Sequence, residues 1–332
     1  MKYLVTGGAG FIGSHLVDAL LADINTTEVR IIDDFSSGKI EHLYQHGANV
    51  ADGRLKIHKF DLVQPNPATH VCFKDIDCVF HLSANPDARL GIENTHLDLE
   101  QEVLATYNVL DAMRRAGCKK IIFSSSGTVY GDIGTTPAKE GMGERHPISL
   151  YGAGKVSSEA FIAAYCGTFG FSSVIFRFGN VVGERTTHGC IFDFMAKIKK
   201  HPDKLVVLGN GKQSKPYIYV RDIAAGLIHG LTMLTGGGMG PGSCFPFNLA
   251  PSGATTVQFI AEELVRQMGL EGKIEIVYGE SESGWAGDVP HSRMDASNLE
   301  LYGFKPSLTS DGAVMRAIYE ILNYKQPEPP KE

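Results

Sequence analysis

Over its first 180 residues the chain alternates short, β-branched apolar runs with longer stretches of helical periodicity. That rhythm constrains the fold most, because parallel strands cannot be joined by tight turns and need a helical crossover between them. Strands are expected at 2–6, 29–33, 55–60, 78–82, 120–124 and 173–178, and helices at 12–22, 102–116 and 150–169. In the segment 102–116, Val103, Leu104, Tyr107, Leu110, Ala112 and Met113 form an apolar stripe that stops at Gly117. Residues 1–180 are thus read as α/β, with a parallel sheet. Beyond 180 the rhythm loosens: a glycine-rich loop (236–242) and the segment 281–290 interrupt shorter elements. A last amphipathic helix is expected at 311–322, before a tail rich in Pro, Lys and Glu. Residues 181–332 form a smaller C-terminal α/β domain in this reading, with some segments returning to the first sheet.

A chain of 332 residues, 43% hydrophobic and 20% charged, can bury a sizeable core. Its 37 acids against 31 bases leave a net charge of −6, which speaks against nucleic acid as a partner. No apolar stretch approaches the ~20 residues that span a bilayer, and signal-peptide anatomy is missing. The six cysteines lie far apart without a C-x-x-C pair, so reduced thiols are expected, with no disulfide framework and no metal. The expectation is a soluble, cytoplasmic protein that binds no membrane.

The run Thr6-Gly7-Gly8-Ala9-Gly10-Phe11-Ile12-Gly13 ends the first expected strand and opens the first helix. Its G-x-x-G-x-x-G spacing suits a tight turn at Gly7, close backbone approach to a pyrophosphate at Gly10 and close helix–sheet packing at Gly13. Phe11 and Ile12 begin the helix, whose free amides and positive dipole end face the phosphates. The second strand ends in Asp33, about 20 residues past Gly13, where a carboxylate accepts the ribose hydroxyls of an adenosine. An acid there repels a 2′-phosphate and no arginine follows closely, so NAD is favoured over NADP. The turn of Asp34, Phe35, Ser36, Ser37 and Gly38 is placed over the ribose and adenine. Asp61, with Leu62 beside it, is assigned either to the adenine amino group or to a helix cap.

Tyr151 and Lys155 stand four apart in the expected helix 150–169, a spacing that stacks them on one face. Upstream, Ser124-Ser125-Ser126-Gly-Thr128 ends a central strand, where parallel sheets put their chemistry. To take a proton from a sugar hydroxyl, a phenol must fall from about 10 to about 7. That costs roughly 4 kcal/mol, which one ammonium at ~4 Å supplies at an effective dielectric of 20. An oxidised nicotinamide adds a second positive charge, and Ser126 is expected to hydrogen-bond the same hydroxyl. Alone, such a Tyr/Lys pair is an ordinary exposed helix face; the glycine turn and the serine strand together make it a site.

The ordered motifs TGGAGFIG, IIDDFSSG, HLSAN, FSSSGTVYG, YGAGK and RFGNVVG, with 209–213 and 216–222, resemble the extended short-chain dehydrogenase/reductase family over nearly the whole chain. Within it the sequence is similar to NAD-dependent nucleotide-sugar epimerases, especially UDP-glucose 4-epimerase-like proteins. The resemblance implies a Rossmann-type doubly wound parallel sheet with tightly bound NAD, and a C-terminal domain mainly for the nucleotide sugar. It implies Tyr151 as the base, Lys155 on the nicotinamide ribose and tuning Tyr151, and Ser126 assisting at the sugar hydroxyl. It adds cofactor contacts from Leu82, Ser83, Ala84, Ser124 and Phe178, and a homodimer formed through the helices 102–116 and 150–169.

For the substrate, the same resemblance implies contacts from Ser126, Thr128, Tyr151 and Asn180. It places Gly189 and Ile191, the strand with Val207, Lys215, and the segment from Asp288 to Arg293 about a nucleotide diphosphate. A diphosphate calls for cations, and Lys215, Arg185, Arg221 and Arg293 are the candidates, each equally readable as a surface charge. Two departures bear on that grip. Many relatives carry arginine where Lys215 stands, and many carry another just before Gly287-Asp288, where this chain has Trp285-Ala286. Arg293 is a replacement candidate, and Arg185 a candidate to face a charged sugar. Trp285 is assigned to stacking on a base or sugar, or to a core or lid role.

The expected reaction is inversion at C4 of a UDP-hexose or UDP-hexuronate through a transient 4-keto sugar, without net redox change. The alternatives are a net NAD-dependent reductase or dehydrogenase of a nucleotide sugar, and a cofactor-sensing scaffold without turnover. Family members that are dehydratases or UDP-glucuronate decarboxylases carry an acid in the loop after the serine strand. Ser126-Gly127-Thr128-Val129 has none, which disfavours both.

Overall fold

The computed structural model describes residues 1–64, 67–143, 146–285 and 287–329. Six strands fall where the apolar runs predict, within one or two residues at either end: β1 (Lys2–Thr6), β2 (Glu28–Asp33), β3 (Leu55–Lys59), β4 (Cys78–His81), β5 (Lys120–Ser126) and β6 (Ser172–Phe178). With a later strand, Cys244–Leu249, they form one seven-stranded parallel sheet in the order Cys244–Leu249, β6, β5, β4, β1, β2, β3. Tyr3 of β1 pairs with Val29 on one side and Cys78 on the other. Successive strands run outward from β1 one way through β3 and the other way from β4. A crevice therefore opens beyond the C-terminal ends of β1 and β4, where doubly wound sheets bind ligands.

The helices Phe11–Ala22 and Val220–Thr235 cover one face, where Leu16, Leu20, Leu227 and Leu231 pack with Val5, Ile31 and Phe176. The helices Ala105–Ala116 and Leu150–Phe169 cover the other, where Val109, Met113 and Ile162 pack with Leu4, Val79 and Phe123. Strands buried on both faces read as continuous apolar runs, which is why they are visible in the sequence. Helix Val220–Thr235 and strand Cys244–Leu249 are segments from beyond residue 180 that return to this sheet. Pro246 fits because that strand is the sheet's edge. A separate core unites helices Cys190–Lys200, Val257–Gln267 and Ser310–Asn323 through Phe194, Ile198, Ile260, Leu264, Val314 and Ile318.

One expected helix starts earlier than 102. A π-helical turn, Leu99–Leu104, precedes Ala105–Ala116 and turns Glu102 into the interior, 1% exposed. Such turns are rare and often sit at functional sites. All six cysteines are free thiols, and among the described residues no helix is long and apolar enough to cross a membrane.

Candidate active site

A cleft of about 530 Å³ runs across the C-terminal ends of the strands. At its floor Gly7 adopts φ +68°, and the Gly10 amide donates to the Gly7 carbonyl at 3.1 Å. A Cβ on Gly13 would lie 2.0 Å from that same carbonyl oxygen, so only glycine lets the helix start this close to the strand. The helix opens at Gly10 with no side-chain cap and no acid in its first turn. The amides of Phe11, Ile12 and Gly13, which have no intrahelical partner, therefore face the cleft as an anion cradle. Leu82, Ser83 and Ala84 line the adjoining wall, where Thr6 Oγ1 accepts from the Leu82 and Ser83 amides at 3.1 and 3.2 Å.

Asp33 ends β2 at the cleft with its carboxylate accepting from the Ala9 and Phe35 amides, each at 2.9 Å. Burial pushes this carboxyl above its ordinary value, outweighing the two amides. Asp34, Ser36, Ser37 and Gly38 line the cleft, as do Asp61, Leu62, Ser124 and Phe178. Asp61 also accepts from the Val63 amide at 2.8 Å, so it secures its own turn. Phe35 is a correction. It takes a left-handed conformation, φ +61°, and its ring packs against the sheet core instead of the cleft. The cradle without Cβ atoms, the unpaired helix amides and the strand-end acid fit a dinucleotide.

Opposite the glycine turn, Ser126 Oγ accepts from the Thr128 amide at 3.2 Å and the Thr128 hydroxyl at 3.0 Å, and its hydroxyl is one of the influences that lower the Tyr151 phenol. Ser149 caps the helix Leu150–Phe169, its hydroxyl accepting from the Gly152 amide at 3.1 Å. That cap sets Tyr151 in the first turn and Lys155 one turn on. Lys155 Nζ sits 5.5 Å from the centre of the Tyr151 ring and donates to the Ser124 carbonyl at 3.0 Å. Its further partner is Glu102, whose Oε2 lies 2.8 Å away, with both side chains 1% exposed. Glu102 also accepts from the Asn85 amide at 2.9 Å, and Asp98 accepts from the Asn85 side-chain amide at 2.8 Å.

The electrostatics correct one expectation. Burial raises the Tyr151 phenol; Lys155 pulls it down, but Glu102 and Asp98 push it back up, and it lies above its ordinary value. Lys155 does not bring the phenol's pKa near neutrality by itself, because burial opposes it first and the neighbouring carboxylates add to that. Burial disfavours that ammonium, yet Glu102 and Tyr151 outweigh it and hold Lys155 above its ordinary value.

In the substrate half, Asn180, Gly189, Ile191, Lys215 and Asp288 line the cleft together with Ser126, Thr128 and Tyr151. Lys215 is ion-paired to Asp288, which also accepts from the Gly284 amide at 3.1 Å. Trp285 is in the wall, while Ala286 lies outside the described residues. The structure does not bring four candidates to the cleft. Arg185 is ion-paired at 2.8 Å to Asp18 of the first helix and does not line the cleft. Val207 is buried in the C-terminal core. Arg293 donates to Ser214 Oγ and the Ser292 carbonyl at 3.1 and 2.9 Å. Arg221 pairs with Glu184 at the surface. Sequence reasoning missed Glu102 and Asp98, and also Arg89, which grips Asp87 at 2.6 Å and Asp193 at 3.0 Å in the cleft wall. Nothing local marks these residues: Glu102 meets Lys155, Asp98 meets Asn85, and Arg89 reaches beyond its neighbour Asp87 to Asp193, all across the fold.

A family model described as the NAD dependent epimerase/dehydratase family matches residues 3–240. The chain belongs to this family. Its fold and NAD dependence accord with the cradle and the Ser126/Tyr151/Lys155 cluster. A putative UDP-glucose 4-epimerase of Methanocaldococcus jannaschii is 29% identical over 96% of this chain and 98% of its own length. A crystal structure of UDP-galactose 4-epimerase superposes with a TM-score of 0.83 at 34% identity, covering 97% of this chain and 99% of the other. UDP-glucuronic acid decarboxylase 1 of Arabidopsis thaliana is 30% identical over 97% of this chain and 70% of its own length. The family thus spans more than one reaction at similar identity.

Proposed function

We propose that this family member is a nucleotide-sugar 4-epimerase acting on a UDP-hexose. The observation that carries the reading is the convergence of Ser126, Tyr151 and Lys155 beside the glycine cradle. Ser126 orients the 4-hydroxyl, Tyr151 takes its proton, and Lys155 holds the nicotinamide ribose. NAD, when bound, supplies the site that accepts hydride from C4 and returns it. The 4-keto sugar turns about its phosphate link so that the opposite face of C4 meets the returning hydride, and Tyr151 gives the proton back to the C4 oxygen. Nothing is consumed overall, so the cofactor stays in place.

Two observations favour an uncharged hexose over the other chemistries. The turn Gly127–Tyr130 after the serine strand carries no acid for elimination or decarboxylation. Among the described cleft-lining residues, Arg89, Lys155 and Lys215 each already hold a carboxylate, which leaves them poor partners for a uronate. Lys197, which donates to the Val206 carbonyl, has no acidic partner among the described residues and is our candidate for the diphosphate. We place a homodimer contact on the helices Ala105–Ala116 and Leu150–Phe169, where Tyr107 and Phe161 meet edge-on and are exposed.

Purified protein incubated with UDP-glucose, UDP-galactose, their N-acetyl forms and UDP-glucuronate, with no added nicotinamide, tests the reading. Interconversion at C4 of the neutral sugars is expected. Conversion of none refutes it, and a stoichiometric rise in NADH absorbance points to a net dehydrogenase instead.

A further inference from the structure

We propose that Glu102 is a positioning residue that holds the Lys155 ammonium and cancels its charge, so that Tyr151 gives up its proton beside an oxidised, positively charged nicotinamide and keeps it beside a reduced one. The proposal rests on the reading of Tyr151 as the base. Its warrant is the construction around the pair.

Glu102 and Lys155 are both fully enclosed at 2.8 Å. The chain makes room for the carboxylate by specific means. A Cβ on Gly154, between Tyr151 and Lys155, would lie 2.7 Å from Glu102 Cβ, so that position must be glycine for the stem to pass. A Cβ on Gly91 would lie 2.1 Å from Asp98 Oδ2. The π-helical turn Leu99–Leu104 rotates Glu102 inward, and Asn85 donates to both acids. Burying a carboxylate is costly, and this one is built in beside the group that acts on the substrate.

Every element packed on the phenol contributes to the balance of charge. From its own helix come Lys155 and Glu159, the latter bound to Arg177 at 2.7 Å. Glu102 and Asp98 come from the neighbouring helix, and the Ser124 carbonyl and Ser126 hydroxyl from β5. From β4 comes His81, kept neutral because burial pushes it down to about 3. One ammonium thus faces two carboxylates besides Glu159. The missing positive charge is the one an oxidised nicotinamide brings.

Charge then balances through the reaction. Before it, a phenolate stands beside a cationic ring. A nicotinamide held there would take the C4 hydrogen as hydride and lose its charge, while Tyr151 takes the hydroxyl proton and becomes a neutral phenol. The enclosed Glu102/Lys155 pair stays neutral throughout, so the dry site never gains net charge in either half of the cycle.

Ultraviolet difference titration of tyrosinate, with Tyr151→Phe as the blank, reads this directly on protein loaded with NAD or NADH. The Tyr151 midpoint is expected at least about one pH unit lower with NAD than with NADH. Glu102→Gln should lower both midpoints by about one unit, so that Tyr151 ionises more readily even beside NADH, while Glu102→Asp should leave both in place. An unmoved NADH midpoint in Glu102→Gln, or equal shifts in both variants, overturns the proposal. Should Glu102→Gln not fold, Asp98→Asn must lower the NADH midpoint in the same direction, and no change overturns it. Titration needs no turnover: a protein whose midpoint falls in Glu102→Gln but which converts no sugar loses the epimerase reading and keeps this one. Turnover with an unmoved midpoint does the reverse.

Discussion

Replacing Lys155 with Met isolates what the buried pair does for folding. At 2.8 Å and an effective dielectric of 20, the gross attraction in the pair is about 6 kcal/mol, much of it offset by desolvation of both groups. Deleting one partner of such a pair typically costs about 3–5 kcal/mol. Glu102 escapes part of that cost by binding a proton. Burial already raises its carboxyl, and Lys155 is the main influence holding it down, so Lys155→Met raises it further. The folded variant then carries a proton that the unfolded chain, with a carboxylate near 4.5, releases above that pH. The folded state therefore binds more protons, and stability falls as pH rises, by about 1.4 kcal/mol per unit, until the folded value is passed. Above about pH 5 the variant should therefore lose stability over a wider pH range than the wild type, whose own carboxyl is raised less. Urea unfolding of cofactor-free protein across that range measures it. Lys155→Met with Glu102→Gln should abolish the slope. A slope equal to that of the wild type, or one that survives in the double variant, refutes the reasoning.

Tyr151→Phe should cut epimerisation by roughly 10²–10⁴-fold, with folding and cofactor content retained; turnover near wild-type would displace Tyr151 as the base. Gly13→Ala, whose Cβ would lie 2.0 Å from the Gly7 carbonyl, should lower stability by about 1–3 kcal/mol and empty the protein of nicotinamide, as read from cofactor released on denaturation. Tyr107→Glu combined with Phe161→Glu should turn a dimer into a monomer by light scattering without unfolding it; an unchanged mass places the contact elsewhere.

The strands, the main helices, the glycine turn and the Tyr151/Lys155 spacing were legible in the sequence. Each is a local pattern: apolar periodicity, a backbone that only glycine permits, two side chains a helical turn apart. The errors have a common form. Arg185 reads as a substrate contact but pairs with Asp18, and Phe35 reads as a cofactor contact but packs, from a left-handed backbone, against the core. The strand Cys244–Leu249 joins the sheet next to β6 through a return that no local signal announces.

By itself, then, the amino-acid sequence determined the parallel sheet and singled out Ser126, Tyr151 and Lys155, because periodicity and short spacings act through covalent neighbours. Only the tertiary structure decided which charges meet. Lys155 finds Glu102, Lys215 finds Asp288 and Arg89 finds two aspartates because packing excludes water around them, and in that setting each ammonium or guanidinium must be matched by the nearest carboxylate the fold supplies.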